Sequence, residues 1–302
     1  MKNILLVIDQ RGWIFERHAF ELKKRLSEYR IDIVCHRENI REKSKDYDLI
    51  YVFDPMPLSY PPPNKTIMGL RVDWFYLNHP RGAKGMYEEG FMGRSACIKG
   101  NCCMMHVVNR NQLKAFEEVA DIPVLLTQHG IDEECFNRSK YVKPKNDILT
   151  VGTSGRKDSP NKKSFNLVDQ VCREMGIKHY KTRYRGKRTK EEMPEFYNRL
   201  DIFVSMSKYE GLCNPIMEAG AMGVPVISTR CGAAEEIIRD GESGLLISRS
   251  VMPLKEALEK MRDEEVRLEM GNKLHEEIMK NWTWKTRIED FRNMFNKFFE
   301  TR

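Results

Sequence analysis

Two glutamates eight positions apart, Glu210 and Glu218, lie in the stretch YEGLCNPIMEAGAMGVPVIST, residues 209–229. An ionised carboxylate is an acceptor with two oxygens, suited to pairs of vicinal hydroxyls on a sugar or a ribose. Pro215 is placed to open a helix, because its missing N–H costs nothing in a first turn. Glu210 is then expected in the turn after the apolar run DIFVSMSKY, and Glu218 within the helix, roughly two helical turns further on. Either residue alone reads equally well as a solvated turn acid or a charge at a helix start, so the surroundings decide.

The stretch VGTSGRKDSPNKKSF, residues 151–165, runs from a strand into small residues, then Arg156, then Lys162 and Lys163 before a helix. Glycines let a backbone approach a ligand, and a helix start offers N–H groups. Together with converging cations this suits a diphosphate. A third stretch, KHYKTRYRGKRTK at 178–190, holds seven Lys or Arg and no acid, with Tyr180 and Tyr184 interleaved. It reads as a site for phosphates and bases or as a solvated loop.

The elements that must position these groups alternate along the chain. NILLVID is a strand, followed by a helical pattern from Trp13 to Tyr29. Then come IDIVC, DLIYVFD, KTIMGLRVD, CMMHVVN with helix NQLKAFEEVA, and VLLTQHGID. After the link RSKYVKPKND a second set begins: ILTVGTSG, helix KSFNLVDQVCREMG, a strand near IKHYK, helix EEMPEFYNRL and DIFVSM. It continues through helix NPIMEAGAMG, VPVIST, helix AEEIIRDG and GLLI. Strand–helix alternation in two sets predicts two parallel-sheet α/β domains, with strands apolar throughout because both faces are covered. The segment Trp282 to Phe299 carries Trp284, Ile288, Phe291, Phe295 and Phe298 at helical spacing, which predicts a packing face.

Length and charge bound the function classes. With 302 residues, two domains are expected. The net charge of +7 (51 basic less 44 acidic) is mild for this size. No apolar run approaches the roughly 18 residues of a membrane span. The N-terminal run lacks a small-residue cleavage site and is expected to be a strand, not a leader. Eight cysteines without a scaffold rhythm fit a reducing cytoplasm. DQRGWIF has one glycine, and neither a dinucleotide fingerprint nor a Walker loop is present, which argues against a nicotinamide enzyme.

YEGLCNPIMEAGAMGVPVISTRCGAAEEIIRDGESGLLI resembles the signature of retaining nucleotide-sugar glycosyltransferases of family 4. Glu210 and Glu218 match that family's paired glutamates, and GVPVIST, GAAEE and DGESGLLI follow in its order. EEMPEFYNRLDIFVSMS resembles the helix and strand before the pair, VGTSGRKDSPNKKSF its phosphate loop, and QHGIDEECF its Asn-Gly-Val-Asp-x-x-x-Phe turn. The match is dense from about residue 125 to 248; before 120 only the strand order corresponds.

The resemblance implies the GT-B fold, two Rossmann-like parallel-sheet domains facing across a cleft. It implies a first, acceptor-side domain over 1–142, a nucleotide-sugar domain over 143–280, and a terminal helix, 281–302, packing back towards the first. It implies that Glu218 holds the donor ribose, that Glu210 contacts the transferred sugar, and that the backbone of Gly211, Leu212, Cys213 and Asn214 assists. Arg156 with Lys163 or Lys162 would neutralise the diphosphate in place of a metal ion, and Gly12 would let the first domain's helix approach the phosphates. Arg183 or Tyr184 would lie against the nucleobase. The family's first-domain histidine falls near GLRVDW, where Arg71 and Asp73 stand instead. Cys213 and Asn214 replace its usual Gly-Leu.

The expected activity is therefore retaining, metal-independent hexosyl transfer from a nucleotide-diphosphate sugar, UDP- or GDP-linked, with no cofactor. The acceptor is open between a membrane lipid or polysaccharide precursor and a modified DNA base, both polyanionic. The expected location is the cytoplasm, peripheral to a membrane at most. The alternative from another class is a binder of sugar nucleotide or nucleic acid without catalysis. Cys97, Cys102, Cys103 and His106 have the residue types of a zinc site, but CCMMHVV scans better as a buried strand. PMPLSYPPPN at 55–64 is expected to be a rigid loop. Lys23, Lys24 and Arg25 beside Trp13 and Phe20 would suit an anionic membrane or simple packing.

Overall fold

The computed structural model describes residues 1–56, 61–91, 97–155, 162–183 and 190–301. Contacts divide the chain into two compact units, Met1–His129 with Arg287–Arg302, and Gly130–Thr286.

In the first unit six strands form one sheet in the order β2-β1-β3-β4-β5-β6, every pairing parallel. They are β1 (Lys2–Ile8), β2 (Tyr29–Cys35), β3 (Leu49–Val52), β4 (Thr66–Leu70), β5 (Met104–Val107) and β6 (Val124–Leu126). Between them lie α1 (Ile14–Arg25), α2 (Ile40–Lys43), α3 (Trp74–Leu77), α4 (Gly82–Glu89) and α5 (Arg110–Glu117). Ile4 to Ile8 are wholly buried, as a strand covered on both faces requires. The helix expected from Trp13 to Tyr29 stops at Arg25. Tyr29 opens β2 instead, because the run YRIDIVC pairs in register with β1, Ile31 beside Ile4. Phe20, in the middle of α1, is exposed.

The second unit has five strands in the order β11-β10-β9-β7-β8, again all parallel. They are β7 (Thr150–Gly155), β8 (Lys178–Arg183), β9 (Ile202–Ser205), β10 (Val226–Thr229) and β11 (Leu245–Ile247). The helices are α6 (Lys162–Glu174), α7 (Met193–Asn198), α8 (Asn214–Ala221), α9 (Ala234–Ile237), α10 (Val251–Lys260) and α11 (Glu264–Asn281), and α12 (Trp284–Glu300) follows them in the chain. The sequence reading named no element between GLLI and Trp282, where α10 and α11 stand. Leu254, Ala257 and Leu258 of α10 enter the core of this unit. Met270, Leu274 and Ile278 of α11 are buried as well.

Helix α12 starts in the second unit, and from Arg287 onward it belongs to the first. The expected stripe is buried there: Phe291, Phe295 and Phe298 are at most 1% exposed. Tyr51 of β3 meets the Phe291 and Phe295 rings edge-on. Tyr29 donates its hydroxyl to Asn296 (2.6 Å), and Arg292 pairs with Glu28.

Candidate functional site

The strand order places the site. In the second unit the chain runs from β7 to β8 on one side, then returns to β9 on the other and continues to β10 and β11. The reversal lies between β7 and β9, which pair at Val151–Ile202 and Gly152–Phe203. Ligands of open parallel sheets bind beyond the carboxyl ends of the strands at such a point. The loop leaving β9 carries Glu210, and the segment leaving β7 carries Arg156.

Glu210 sits in a braced loop. Its Oε1 accepts the Ser207 hydroxyl at 2.6 Å. Thr229, at the end of β10, donates to the Ser207 carbonyl (2.5 Å), and Arg249 donates to that of Met206 (2.8 Å). Ala233 N–H donates to Gly211 O at 2.9 Å, and the Cys213 thiol donates to Cys231 O at 3.3 Å. Burial raises the Glu210 pKa above the ordinary carboxylate value, with the Ser207 hydroxyl acting in the opposite sense. Cys213 takes the left-handed conformation (φ 61°, ψ 50°) just before α8. It turns the loop so that α8 begins with Asn214 and Pro215, as the proline predicts.

The turn after β10 touches this loop most closely at Gly232, with φ +54°. A β-carbon there would come within 2.4 Å of Gly211 O and 3.0 Å of Glu210 Cβ. Gly232→Ala is therefore expected to cost about 2 kcal/mol through left-handed strain and the clash. It should also shift Glu210. Thermal denaturation beside a donor-turnover assay checks it: a soluble variant with unchanged melting temperature and turnover would show that the turn yields.

Glu218 lies on α8, partly exposed, and its Oε2 accepts the Tyr197 hydroxyl at 2.7 Å. Glu210, Gly211, Leu212, Cys213, Asn214 and Glu218 thus form one loop-and-helix segment, with Gly211, Leu212 and Cys213 buried. Lys162 and Lys163 are the first two residues of α6. Arg156 and Tyr184 lie outside the described residues, and Arg183 ends β8. Within the basic segment, Lys181 pairs with Asp169 (2.6 Å). His179 bonds the same carboxylate and Thr153, so Lys181 ties β8 to its neighbours. In the turn QHGIDEECF, Asp132 Oδ1 accepts the N–H groups of Glu134 and Cys135.

Gly12 belongs to the first unit. It has φ +77°, and its N–H donates to Glu16 at 2.6 Å. Arg71 and Asp73 follow β4 and are both buried. Asp73 accepts from Asn109 (3.0 Å). The Arg71 guanidinium donates to the Tyr51 hydroxyl (2.6 Å), contacts His129 Nδ1 (3.0 Å) and lies over the Phe53 ring at 5.1 Å. The Tyr51 hydroxyl is in turn 2.6 Å from His106 Nε2. Burial, then the Arg71 charge, hold His106 well below the usual histidine pKa, so its ring is neutral beside that hydroxyl.

Two groups escaped the sequence reading. Tyr197 is one. The other is Asp54, past the carboxyl end of β3, whose Oδ1 accepts Arg71 N–H at 3.1 Å. Burial pushes its pKa up to about 7, with the Arg71 N–H and charge opposing and the Asp9 charge reinforcing. The cysteine-rich run holds no metal cluster among the described residues. Of the expected strand CCMMHVV, β5 takes Met104–Val107; Cys102 and Cys103 lie just before it, donating to Ile98 O and Thr66 O. No helix among the described residues is long and apolar enough to cross a membrane.

Residues 139–264 match the family described as glycosyl transferases group 1. Over 196 residues the chain is 27% identical to a GDP-mannose-dependent alpha-mannosyltransferase of Corynebacterium glutamicum, covering 65% of this chain and 34% of the relative. Over 126 residues it is 30% identical to a D-inositol 3-phosphate glycosyltransferase of Corynebacterium aurimucosum, covering 41% and 28%. The chain thus spans about a third of the length of these curated relatives. Among solved structures, sucrose-phosphate synthase from Thermosynechococcus elongatus matches over all of both chains, with a TM-score of 0.75 at 13% identity. The Anabaena protein HepE in complex with UDP and glucose matches over 98% of this chain and 100% of its own, with a TM-score of 0.72 at 12% identity. At such identities the likeness establishes the fold, the two Rossmann-like sheets of GT-B proteins.

Proposed function

We propose that this chain, whose residues 139–264 carry the glycosyl transferases group 1 pattern, moves a hexosyl group from a nucleotide-diphosphate sugar to an acceptor hydroxyl with retention of configuration. The observation that carries the reading is the pair of carboxylates, Glu210 in the braced loop and Glu218 on α8, at the strand reversal of the second unit. Glu218 accepts from the ribose hydroxyls and Glu210 from those of the sugar. The positive end of α8, at Cys213 to Pro215, adds a favourable potential for an anion. Arg156 with Lys163 or Lys162 stabilises the diphosphate as the glycosidic C–O bond breaks, an electrostatic role needing no metal. The names of relatives and neighbours support GDP- or UDP-linked donors.

The acceptor hydroxyl belongs to a lipid or polysaccharide precursor or to a modified DNA base. With Lys181 engaged by Asp169, any polyanion contact of the basic segment falls to its other cations. A screen of UDP- and GDP-hexoses for hydrolysis and thermal stabilisation tests the reading. One donor class should raise the melting temperature, and turnover should persist in EDTA. Abolition by EDTA with recovery on Mn²⁺ would overturn the metal-free assignment, and no response to any donor would overturn the transferase reading.

A further inference from the structure

We infer that Tyr197 is a positioning residue for Glu218: its phenol fixes the carboxylate in the orientation that meets the donor nucleotide, so Tyr197 sets nucleotide affinity without touching the nucleotide. This rests on the reading of Glu218 given above.

Tyr197 is 0% exposed. Its ring meets Phe196 and Phe203 edge-on, at 5.1 and 5.4 Å between centroids, with Phe136 at 6.3 Å. An aromatic surround on this scale locks the ring, and Leu200 N–H donates to the Tyr197 carbonyl at 3.0 Å, tying α7 to the turn that enters β9. The phenol oxygen is the one polar atom of the side chain, and a buried hydroxyl demands a partner. It finds Glu218 Oε2 at 2.7 Å, twenty-one positions away in sequence. A single rigid group thus links β9, the strand leading to Glu210, and the helix carrying Glu218.

The chemistry of the pair is one-directional. Burial, and then the charge of Glu218, push the Tyr197 pKa well above its ordinary value. The phenol therefore remains a donor wherever the protein is folded, and the bond it gives an ionised carboxylate is charge-assisted. A glutamate has three side-chain torsions, and holding them before the ligand arrives lowers the entropic cost of binding. Interactions that organise binding equally in ground and transition states change KM and Kd and leave kcat alone. A tyrosine that merely satisfies its own hydroxyl would change stability and leave nucleotide affinity untouched.

Calorimetric titration of UDP and of GDP into the wild type, Tyr197→Phe, Glu218→Gln and the double variant tests this, with kcat and melting temperature recorded for each. Tyr197→Phe should weaken the nucleotide that binds by roughly tenfold, the scale of one hydrogen bond to a charged group, with kcat within about twofold. In the Glu218→Gln background it should add little. Glu218→Asp, which draws the carboxylate back by one methylene, should weaken binding too. This variant keeps the test available should Tyr197→Phe fail to fold. Wild-type affinity in Tyr197→Phe or in Glu218→Asp, with affinity lost in Glu218→Gln, would overturn the positioning role. Wild-type affinity in Glu218→Gln, or a wild type that binds neither nucleotide, would instead overturn the reading of Glu218 itself.

Discussion

Glu210→Gln is expected to lower kcat by about two to three orders of magnitude, the scale of removing one preorganised electrostatic group from a reacting centre, while donor KM stays within a few-fold. Glutamine is nearly isosteric, and its amide oxygen can still accept the Ser207 hydroxyl that now meets Glu210 at 2.6 Å. The brace from Thr229, Arg249 and Ala233 acts on backbone atoms and is unaffected. Under the proposed function, what disappears is a negative charge beside the sugar as positive charge develops on it, an interaction stronger in the transition state than before it. The wild type should show a second signature. Because burial holds the Glu210 pKa above the ordinary value, turnover by the ionised form should fall on the acid side at a pH above that of a free glutamate. That limb should be missing in the glutamine variant. Steady-state rates across pH measure both, and a kcat within twofold of wild type would reduce Glu210 to a loop residue.

Asp54→Asn is expected to stabilise the protein at alkaline pH and change it little near pH 4. The folded pKa of Asp54, about 7, stands above its ordinary 3.8. The folded state therefore holds a proton that the unfolded chain has released, and stability declines as pH rises from about 4 to about 7, then levels off. Asp54 retains some solvent contact, so the full cost above pH 7 is about 2–4 kcal/mol, reckoned at 1.36 kcal/mol per pKa unit and trimmed for that contact. Asparagine keeps an oxygen for the Arg71 N–H and carries no charge. Urea denaturation at pH 4, 6 and 8 should show the wild-type midpoint falling with pH and the variant's falling much less. Parallel curves would mean that Asp54 is ionised throughout.

Much of this architecture is written locally. Runs such as NILLVID and DLIYVFD are apolar without alternation because helices cover both faces of their sheets. The strand pattern and the fold class follow directly from them. The start of α8 is also local, since Pro215 suits a first helical turn, but the left-handed Cys213 before it is not. What escaped depends on pairings distant in sequence. The buried positions of α11, Met270, Leu274 and Ile278, follow helical spacing but are surrounded by a dense charge pattern that hides them. The end of α1 is decided by Ile31 finding Ile4, which no helical periodicity can foresee. Asp54 is visible in sequence as an acid at a strand end, but its proton affinity comes from packing by other segments. Tyr197 lies within EEMPEFYNRL, but nothing in that run singles it out; its partner Glu218 is met only where α7 meets α8.

The passage of α12 from one unit to the other bears on where the chain can be cut. Residues 130–286 form the second unit from one continuous segment, whereas the first unit needs 1–129 together with 287–302, on the far side of that segment. Without Phe291, Phe295 and Phe298, the apolar face that includes Tyr51 has no cover. A chain cut at 286 would therefore keep every residue of the second unit and leave on the first an aromatic surface of the kind chaperones hold.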